Sequence, residues 1–389
     1  MQSTLRKRNS RLIGLLFWSG GLIRSRQLPL LTSGFSSTNF RQVSFHRQRW
    51  TRFLSKGSCC RPSSTSLKVT HDGGVYPSGI SVALVLEQAI HDLKDVEDEQ
   101  AMMSVTNILA DILDLPWTTG YKDLASIATN QHAVPQHLTE LACRLITAQE
   151  AEELTDKLHR RKRQEPIQHI IGKWDFLDYN FLVRAPLLCP RPETEELVEL
   201  VAQEISDNPS IQHILDVGCG TGCIGISLAT KFPYLQVSAI DLEPVAVQTS
   251  QENARLILGS QWKEQYDARL CTAQDLMVDR RFDLVASNPP YIPSADMNKL
   301  DKEVKDYESH QALSGLSEDG LDVIREIIAK LPYWCNVSAT CWMEVDPSQP
   351  AILRELLASH PHVAFVSSHY DMFGKERFVK LQVHHVRNH

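Results

Sequence analysis

Residues 214–225 read ILDVGCGTGCIG, an apolar run followed by alternating glycines. Residues 214–217 predict a buried strand, and the apolar residues from Ile224 onward predict a helix. A glycine-rich turn between a strand and a helix lets a ligand approach the backbone closely. It also points the unpaired N–H groups of the helix start toward that ligand. The stretch therefore predicts a ligand-binding turn within an α/β fold.

Strand-like and helical runs alternate from about residue 190 to the end of the chain. Strands are predicted at 213–217, 236–240, 269–271, 282–287, 339–345, 363–368 and 378–383. Helices are predicted at 224–231, 244–258, 321–329 and 351–358. This alternation indicates a mostly parallel sheet with helices on both faces. The last two strands are joined by a short loop containing Gly374, which predicts that they are antiparallel.

The region before residue 190 is organised differently. Apolar residues recur at i, i+3, i+4 and i+7 from Val105 onward, as part of a helical pattern that predicts a small domain at 80–164. The basic run 159–163 closes this pattern, and we interpret it as a solvated helix end, because cations are stabilised at a helix C-terminus. Alternating aromatic residues predict a β-hairpin linker at 165–189, which leaves 190–389 for the α/β domain.

Charge is distributed unevenly along the chain. Residues 1–71 hold 13 of the 40 Lys and Arg and none of the 47 Asp and Glu. The remaining 27 basic and 47 acidic residues give residues 72–389 a formal charge of −20. An acid-free segment rich in Arg and Ser is typical of a mitochondrial transit peptide, so the head predicts import into the mitochondrial matrix. The apolar core at 12–18 keeps a secretory signal as the alternative, but it is too short to span a membrane.

Two ligand classes fit the glycine turn. Residues 220–225 match the G-x-G-x-x-G pattern of dinucleotide-binding turns. The longer D-x-G-x-G-x-G stretch resembles the S-adenosylmethionine loop of Rossmann-like methyltransferases. Its first residue, Asp216, can meet the cationic methionyl end of that cofactor, directly or through water, whereas it would repel a pyrophosphate. Asp241 follows the second strand, where an acid can bind ribose hydroxyls in either class. Further on, Asp275 can reach an adenine amino group and Leu276 can pack on the ring.

A second motif, SNPPYIP at 287–293, follows the strand predicted at 282–287. Ligands of open α/β sheets bind at the carboxyl ends of the strands. Pro289 and Pro290 have a fixed φ and offer only carbonyl oxygens. Asn288 adds a side-chain oxygen, and Tyr291 adds a flat ring. This set suits a substrate –NH2 group on a planar system, either an amide or an aromatic amine, held with its nitrogen toward an activated methyl group.

With these motifs in this order, the chain resembles the HemK/PrmC family, the N5-glutamine methyltransferases of peptide chain release factors. The resemblance covers most of residues 80–389. Further stretches that carry it are EPIQHIIG at 165–172, PRPETE at 190–195, DGL at 319–321, MEV at 343–345 and the D-x-x-G-x-x-R pattern at 371–377. Three positions depart from the family pattern. Cys219 is a small substitution in the family's D-x-G-T-G-T-G loop, His169 stands where tyrosine is usual, and Ser309 stands where a proline is common.

The resemblance implies a class I S-adenosylmethionine-dependent methyltransferase. Its fold would be α/β and Rossmann-like, with a mostly parallel seven-stranded sheet, an antiparallel last strand and a small N-terminal helical domain that recognises the substrate. The implied target is the glutamine of the Gly-Gly-Gln loop of a release factor, here a mitochondrial one. The expected catalytic residues are Asn288, Pro289 and Tyr291. The expected cofactor-binding residues are Asp216, Gly218, Cys219, Gly220, Thr221, Gly222, Asp241, Asp275, Leu276 and Asn288. The expected substrate-binding residues are Arg191, Glu193, Thr194, Asn288, Pro289, Pro290 and Tyr291.

Several alternatives stay open. An N6-adenine methyltransferase of DNA or RNA uses the same Asn-Pro-Pro-Tyr chemistry on a flipped base, but it needs a basic surface. A glutamine methyltransferase of a ribosomal protein is not separated by these motifs. A nicotinamide-dependent oxidoreductase, or a non-catalytic cofactor-binding protein, leaves the NPPY motif unexplained. We expect a monomer that contacts neither nucleic acid directly nor a membrane. No metal is expected, because the nine cysteines contain no C-x-x-C pair.

Overall fold

The computed structural model describes residues 75–97, 100–116, 119–129 and 134–384. The chain divides into two units between Arg163 and Gln164. The predicted transit peptide, residues 1–71, lies outside the described residues. Within the described ranges, no helix is both long enough and apolar enough to cross a membrane.

The first unit is helical. Its helices are α1 Val82–Glu97, α2 Ala101–Ile112, α3 Gly120–Thr129, α4 Thr139–Cys143 and α5 Ala148–Lys162, with a 3-10 turn at Gln136–Leu138. On α2, Val105, Ile108 and Leu109 are buried, as the helical spacing predicts. Helix α5 begins with a capping box, in which Thr147 and Glu150 satisfy each other's backbone N–H groups.

The basic run at the end of α5 differs from the prediction of a solvated helix end. Arg161 is only 3% exposed, and it forms a buried ion pair with Glu97 of α1. Its Nε also donates to Ser104 Oγ at 3.3 Å. A buried guanidinium needs such partners, so this residue of the run holds helices together, and the acid that explains it lies 64 residues away in the sequence.

The second unit contains the α/β fold. Its strands are β1 Lys173–Phe176, β2 Tyr179–Leu182, β3 His213–Val217, β4 Gln236–Asp241, β5 Tyr266–Leu270, β6 Phe282–Ser287, β7 Cys335–Glu344, β8 Val363–Tyr370 and β9 Glu376–Val383. Its helices are α6 Ile167–Ile171, α7 Pro192–Asp207, α8 Cys223–Lys231, α9 Pro244–Leu258, α10 Trp262–Gln265, α11 Lys302–Tyr307, α12 His310–Leu313, α13 Asp322–Trp334 and α14 Gln349–Leu357. Helices α7 and α9 both start with a proline in the first turn, where its missing N–H costs nothing.

Seven strands form one sheet in the order β5-β4-β3-β6-β7-β9-β8. The pairs from β5 to β7 are parallel. Strand β9, the last in the chain, is antiparallel to both of its neighbours, β7 and β8. This topology confirms the predicted fold class, including the antiparallel last strand.

The two faces of this sheet bury different helices, because successive strand residues point to opposite faces. Ile214 of β3 faces a core shared with α7, α8 and α9. Its neighbour Leu215 faces a second core shared with α13 and α14. Strands buried on both faces are typical of a parallel sheet, and this explains the continuous apolar runs in the sequence.

The segment predicted as a β-hairpin linker at 165–189 is different in the structure. It begins with helix α6, and only β1 and β2 form a hairpin, paired from Lys173 with Leu182 to Phe176 with Tyr179. Phe176 and Phe181 are buried in the core under α7, α8 and α9. The buried amide of Asn253 also accepts from Leu182 N at 2.7 Å. The segment is therefore a packed part of the second unit.

Candidate active site

The carboxyl ends of four neighbouring strands bring the predicted motifs together. Val217 at the end of β3 pairs with Ile240 of β4 and with Ser287 of β6. Ser287 in turn pairs with Met343 of β7. The parallel register therefore places the next residue of each strand side by side along this edge. In order across the sheet, these next residues are Asp241, Gly218, Asn288 and Glu344.

The glycine loop needs its glycines for two different reasons. Gly218, Gly220 and Gly222 all have positive φ, between 53° and 81°. A Cβ on Gly222 would lie 2.6 Å from the side-chain end of Ile226 and 3.0 Å from the side chains of Ser250 and Tyr266, so packing also disfavours a side chain here. A Cβ on Gly218 or Gly220 would meet nothing within 4 Å. These two positions leave the backbone open to a ligand, whereas the side chains of Cys219 and Thr221 are buried.

Asp216 lies behind the loop. Its side chain is 0% exposed, and its Oδ2 accepts from Gly225 N at 3.0 Å. Burial raises its pKa to about 7, against the effect of that backbone hydrogen bond. Asp216 therefore has a partner inside the protein, and its contact with the methionyl end of the cofactor, directly or through water, stays a prediction. We interpret Asp216 as a support for the start of α8, with Oδ1 unpartnered beneath the loop.

The Asp241 carboxylate is hydrogen-bonded to the backbone of the glycine loop. Its Oδ2 accepts from Gly220 N at 2.9 Å, and its Oδ1 accepts from Glu243 N at 2.9 Å. Burial raises its pKa. Each carboxylate oxygen has a second lone pair, so the side chain can still accept hydrogen bonds from a ligand hydroxyl beside Gly218, as the sequence predicts.

We expect Asp241→Ala to weaken the binding of S-adenosylmethionine by roughly 10- to 100-fold, because hydrogen bonds to a charged group contribute about 1.5–3 kcal/mol. Titration calorimetry measures this dissociation constant. Asp241→Asn keeps one acceptor oxygen and should show a smaller loss. Asp267→Ala, at a half-exposed acid of β5, is the matched control and should bind normally. An unchanged dissociation constant in Asp241→Ala would refute this role.

The predicted adenine contacts lie in the loop after β5. Asp275 is exposed, and its Oδ2 accepts from the hydroxyl of Thr272 at 2.7 Å. Leu276 packs against the core under α13 and α14. The loop begins close to Asp241, since Cys271 N donates to the Asp241 carbonyl at 3.0 Å. Both residues therefore have structural partners of their own, and their contact with adenine stays a prediction.

The NPPY motif is hydrogen-bonded to the buried acid Glu344, directly through Tyr291 and indirectly through Asn288 and Thr194. The Nδ2 of Asn288 donates to Thr194 Oγ1 at 3.1 Å, and Thr194 Oγ1 donates to Glu344 Oε2 at 2.7 Å. Tyr291 OH donates to the other oxygen, Glu344 Oε1, at 3.1 Å. Glu344 is 2% exposed, and burial raises its pKa. The sequence identifies Glu344 as the acid at the end of a central strand, but not its bonds to Thr194 and Tyr291.

The backbone of the motif is held by a residue that the sequence analysis missed. Gln349, at the start of α14, is 0% exposed. Its Nε2 donates to the carbonyls of Tyr291 and Asp319, both at 2.9 Å. Gly320 lies directly against this contact, because a Cβ there would be 2.2 Å from the Tyr291 carbonyl oxygen. An amide on an amphipathic helix resembles any surface polar residue, so the sequence offers no signal for Gln349.

Two of the predicted substrate-binding residues are engaged inside the protein. Arg191 donates to both oxygens of Glu308, at 2.7 and 2.8 Å, and the Glu308 side chain is 1% exposed. The Thr194 hydroxyl is occupied by Glu344 and Asn288, as described above. Both residues therefore have structural partners of their own, and their contact with substrate stays a prediction. Glu193 is partly exposed beside them, and its contact with substrate stays a prediction.

The residues of this edge fit S-adenosylmethionine. The loop leaves its backbone open at Gly218 and Gly220, and the Asp241 carboxylate beside it can accept further hydrogen bonds from ligand hydroxyls. Within the described ranges, no group of His, Cys, Asp and Glu could hold a metal ion.

Comparison with known proteins agrees with this geometry. The family model of the Methyltransferase small domain matches residues 194–321. The MTRF1L release factor glutamine methyltransferase of Homo sapiens is 34% identical over 247 residues, which cover 61% of this chain and 73% of that protein. This chain belongs to the release factor glutamine methyltransferase family.

Other relatives are similar over different lengths. The release factor glutamine methyltransferase of Leptospira interrogans is 29% identical over 306 residues, which cover 77% of this chain and 98% of that protein. A solved structure of ribosomal protein L11 methylase from Lactobacillus delbrueckii is 17% identical and covers 50% of this chain and 79% of that chain, with a TM-score of 0.35. Membership in the release factor glutamine methyltransferase family confirms the predicted enzyme class and the predicted cofactor, S-adenosylmethionine.

Two of the three departures from the family pattern, His169 and Ser309, have local partners. His169 is buried, with Nε2 2.9 Å from the Leu187 carbonyl, and burial lowers its pKa. Ser309 N donates to the Pro186 carbonyl at 2.7 Å, a bond that a proline could not make. Its hydroxyl donates to Glu243 at 3.2 Å. Both replacements are therefore accommodated within the second unit.

Proposed function

We propose that this protein methylates the side-chain amide nitrogen, N5, of the glutamine in the Gly-Gly-Gln loop of a mitochondrial release factor. The observation that carries the proposal is the position of Asn288 beside Gly218, fixed by the pairing of Ser287 with Val217. An amide-binding motif and the cofactor loop are thereby neighbours on one sheet edge. The names of the family's members support a release factor as the substrate.

The chain's own residues would orient the substrate amide. Asn288 Oδ1 and the Pro289 carbonyl would accept the two hydrogens of its –NH2 group, and Tyr291 would pack on its plane. Acceptors in this arrangement favour a tetrahedral nitrogen, whose lone pair is otherwise delocalised into the amide. Positioning of this kind contributes about 7–11 kcal/mol to a two-reactant step. When bound, S-adenosylmethionine supplies a methyl group on a positively charged sulfur, which leaves as a neutral thioether. The nitrogen's extra proton passes to solvent.

The charge of the protein favours a protein substrate over a nucleic acid. Binding to a phosphate backbone requires clustered Lys and Arg, whereas residues 72–389 carry a formal charge of −20. The basic run that ends α5 contributes Arg161 to a buried ion pair, so that guanidinium is not available to phosphates. This supports a protein rather than a nucleic acid as the direct substrate.

The proposal is tested by incubating the purified protein with labelled S-adenosylmethionine and candidate release factors. We expect label on the wild-type release factor and none when its Gly-Gly-Gln glutamine is changed to alanine or glutamate. Parallel reactions contain DNA, RNA and ribosomal proteins. Label on a nucleic acid, or on a ribosomal protein in place of the release factor, would overturn the assigned substrate.

The mitochondrial part of the proposal rests on residues 1–71. We expect a fusion of these residues to a fluorescent protein to enter the mitochondrial matrix, because an Arg-rich, acid-free segment suits import. Changing Arg6, Lys7, Arg8 and Arg11 to glutamine should leave the reporter in the cytosol. Secretion of the unchanged fusion would contradict the predicted location.

A further inference from the structure

Two buried side chains connect to the catalytic asparagine without reaching the substrate. Thr194 Oγ1 lies 2.7 Å from Glu344 Oε2 and 3.1 Å from Asn288 Nδ2. Thr194 comes from the first turn of α7, and Glu344 is the last residue of β7. Both are nine-tenths or more buried, so their hydrogen bonds are not exchanged with water. The three side chains form a single hydrogen-bonded chain.

Glu344 determines which group donates and which accepts in each hydrogen bond of this chain. An ionised carboxylate only accepts, and a threonine hydroxyl has one hydrogen to donate. Thr194 therefore gives its hydrogen to Glu344, and toward Asn288 it can act only as an acceptor. Asn288 must then turn its NH2 group to Thr194 and its Oδ1 away from it. An asparagine amide has no such preference by itself, because its oxygen and nitrogen ends have nearly the same shape.

We propose that Glu344 and Thr194 are positioning residues that fix the Asn288 amide with its oxygen toward the substrate nitrogen. This inference rests on the proposed function. If the amide turned over, it would present two N–H groups to the substrate –NH2, and neither could accept a hydrogen from it. The buried acid thus decides whether Asn288 offers an acceptor or a donor at the reacting position.

Burial is the largest effect on Glu344 and raises its pKa, whereas its hydrogen bonds and one nearby cation act in the opposite direction, toward the accepting form. Tyr291 donates a second hydroxyl hydrogen to it, and the positive charge of Arg377 on β9 favours the carboxylate, against the effects of burial and of the charge of Glu193. Through the bond to Tyr291, the same acid also holds the residue expected to pack on the substrate amide. One buried carboxylate therefore orients both side chains that contact the substrate.

The test compares variants that remove or keep the chain. Thr194→Val has nearly the same shape without the hydroxyl, and we expect kcat to fall roughly 100-fold, because misplacement of a catalytic group costs about that much. Thr194→Ser restores the hydroxyl and should return kcat to within about twofold of wild type, since the chain is intact. Glu344→Gln can donate toward Thr194 and should lower kcat roughly tenfold, the value of about one hydrogen bond. The dissociation constant for S-adenosylmethionine should stay unchanged in all three.

The double variant Thr194→Val with Glu344→Gln separates this role from a structural one. Substitutions within one hydrogen-bonded chain do not have additive effects, so the kcat of the double variant should be no lower than that of Thr194→Val. The inference would be overturned if the loss of kcat in the double variant equalled the product of the two single losses. A failure of Thr194→Ser to restore kcat would also overturn it. Normal kcat in Thr194→Val would also overturn it, while leaving the proposed function intact if wild type labels the glutamine and Asn288→Ala does not. Absence of label with wild type would refute the proposed function itself.

Discussion

Asn288→Ala should reduce methyl transfer at least roughly 100- to 1,000-fold, the cost of removing one group that is aimed at the reacting atoms. The alanine removes Oδ1, which is the acceptor expected to hold the substrate amide. Although Asn288 is among the expected cofactor-binding residues, the variant leaves the glycine loop and Asp241 unchanged, so the dissociation constant for S-adenosylmethionine should rise far less than in Asp241→Ala. The measurement combines steady-state kinetics on the release factor with titration calorimetry for the cofactor.

The control for this variant is Asn180→Ala, at an exposed position of β2, which should retain full activity. Asn288→Ala should mainly lower the rate of methyl transfer, whereas Asp241→Ala should mainly weaken cofactor binding. If Asn288→Ala turned over the release factor at the wild-type rate, Asn288 would not be a catalytic residue. If it lost cofactor binding instead, the motif would belong to the cofactor site rather than to the substrate site.

Gly320→Ala should lose both stability and activity, although Gly320 touches neither ligand. Its φ of 69° is in the left-handed region, which costs an alanine about 1–2 kcal/mol. The new Cβ would also lie 2.2 Å from the Tyr291 carbonyl oxygen, and such overpacking costs roughly 1–3 kcal/mol more. Because the backbone of the NPPY motif must move to relieve the collision, we expect kcat to fall roughly 100-fold.

Gly172→Ala separates the backbone strain of a positive φ from the collision with the Tyr291 carbonyl. Gly172 has a φ of 79°, and a Cβ there would meet nothing within 4 Å, so this variant contains the backbone strain without the collision. It should lower the unfolding temperature slightly and leave kcat unchanged. Thermal unfolding by circular dichroism and steady-state kinetics are the measurements. If Gly320→Ala and Gly172→Ala changed kcat equally, the collision with the Tyr291 carbonyl would not be the cause of the loss in Gly320→Ala.

Much of the α/β fold could be predicted because the central strands are buried on both faces. Strands β3 and β6 and helix α9 have the predicted bounds. Strand β5 was misplaced by a few residues because only Tyr266 and Ala268 of it are buried. Strand β7 begins at Cys335 rather than at residue 339, because three exposed residues at 336–338 interrupt its apolar pattern.

The candidate site was predictable where its residues are close in the sequence. The glycine loop and the NPPY motif each carry their chemistry in a few adjacent residues. The contacts that orient them do not, since Thr194 and Glu344 are 150 residues apart, and Gln349 is 58 residues from Tyr291. Only the fold brings such pairs together, so the sequence gives no sign that Arg191 contacts Glu308 or that Thr194 contacts Glu344.

The hairpin β1–β2 bears on how the two units could be recombined among relatives. Phe176 and Phe181 are buried in the core under α7, α8 and α9 with their rings at a right angle, 5.9 Å between centroids. A chimaera joined at residue 190 would take both rings out of that core and leave an apolar depression in its place. A junction at Arg163 keeps them together, so an exchange of the N-terminal helical unit between relatives should be made ahead of the hairpin.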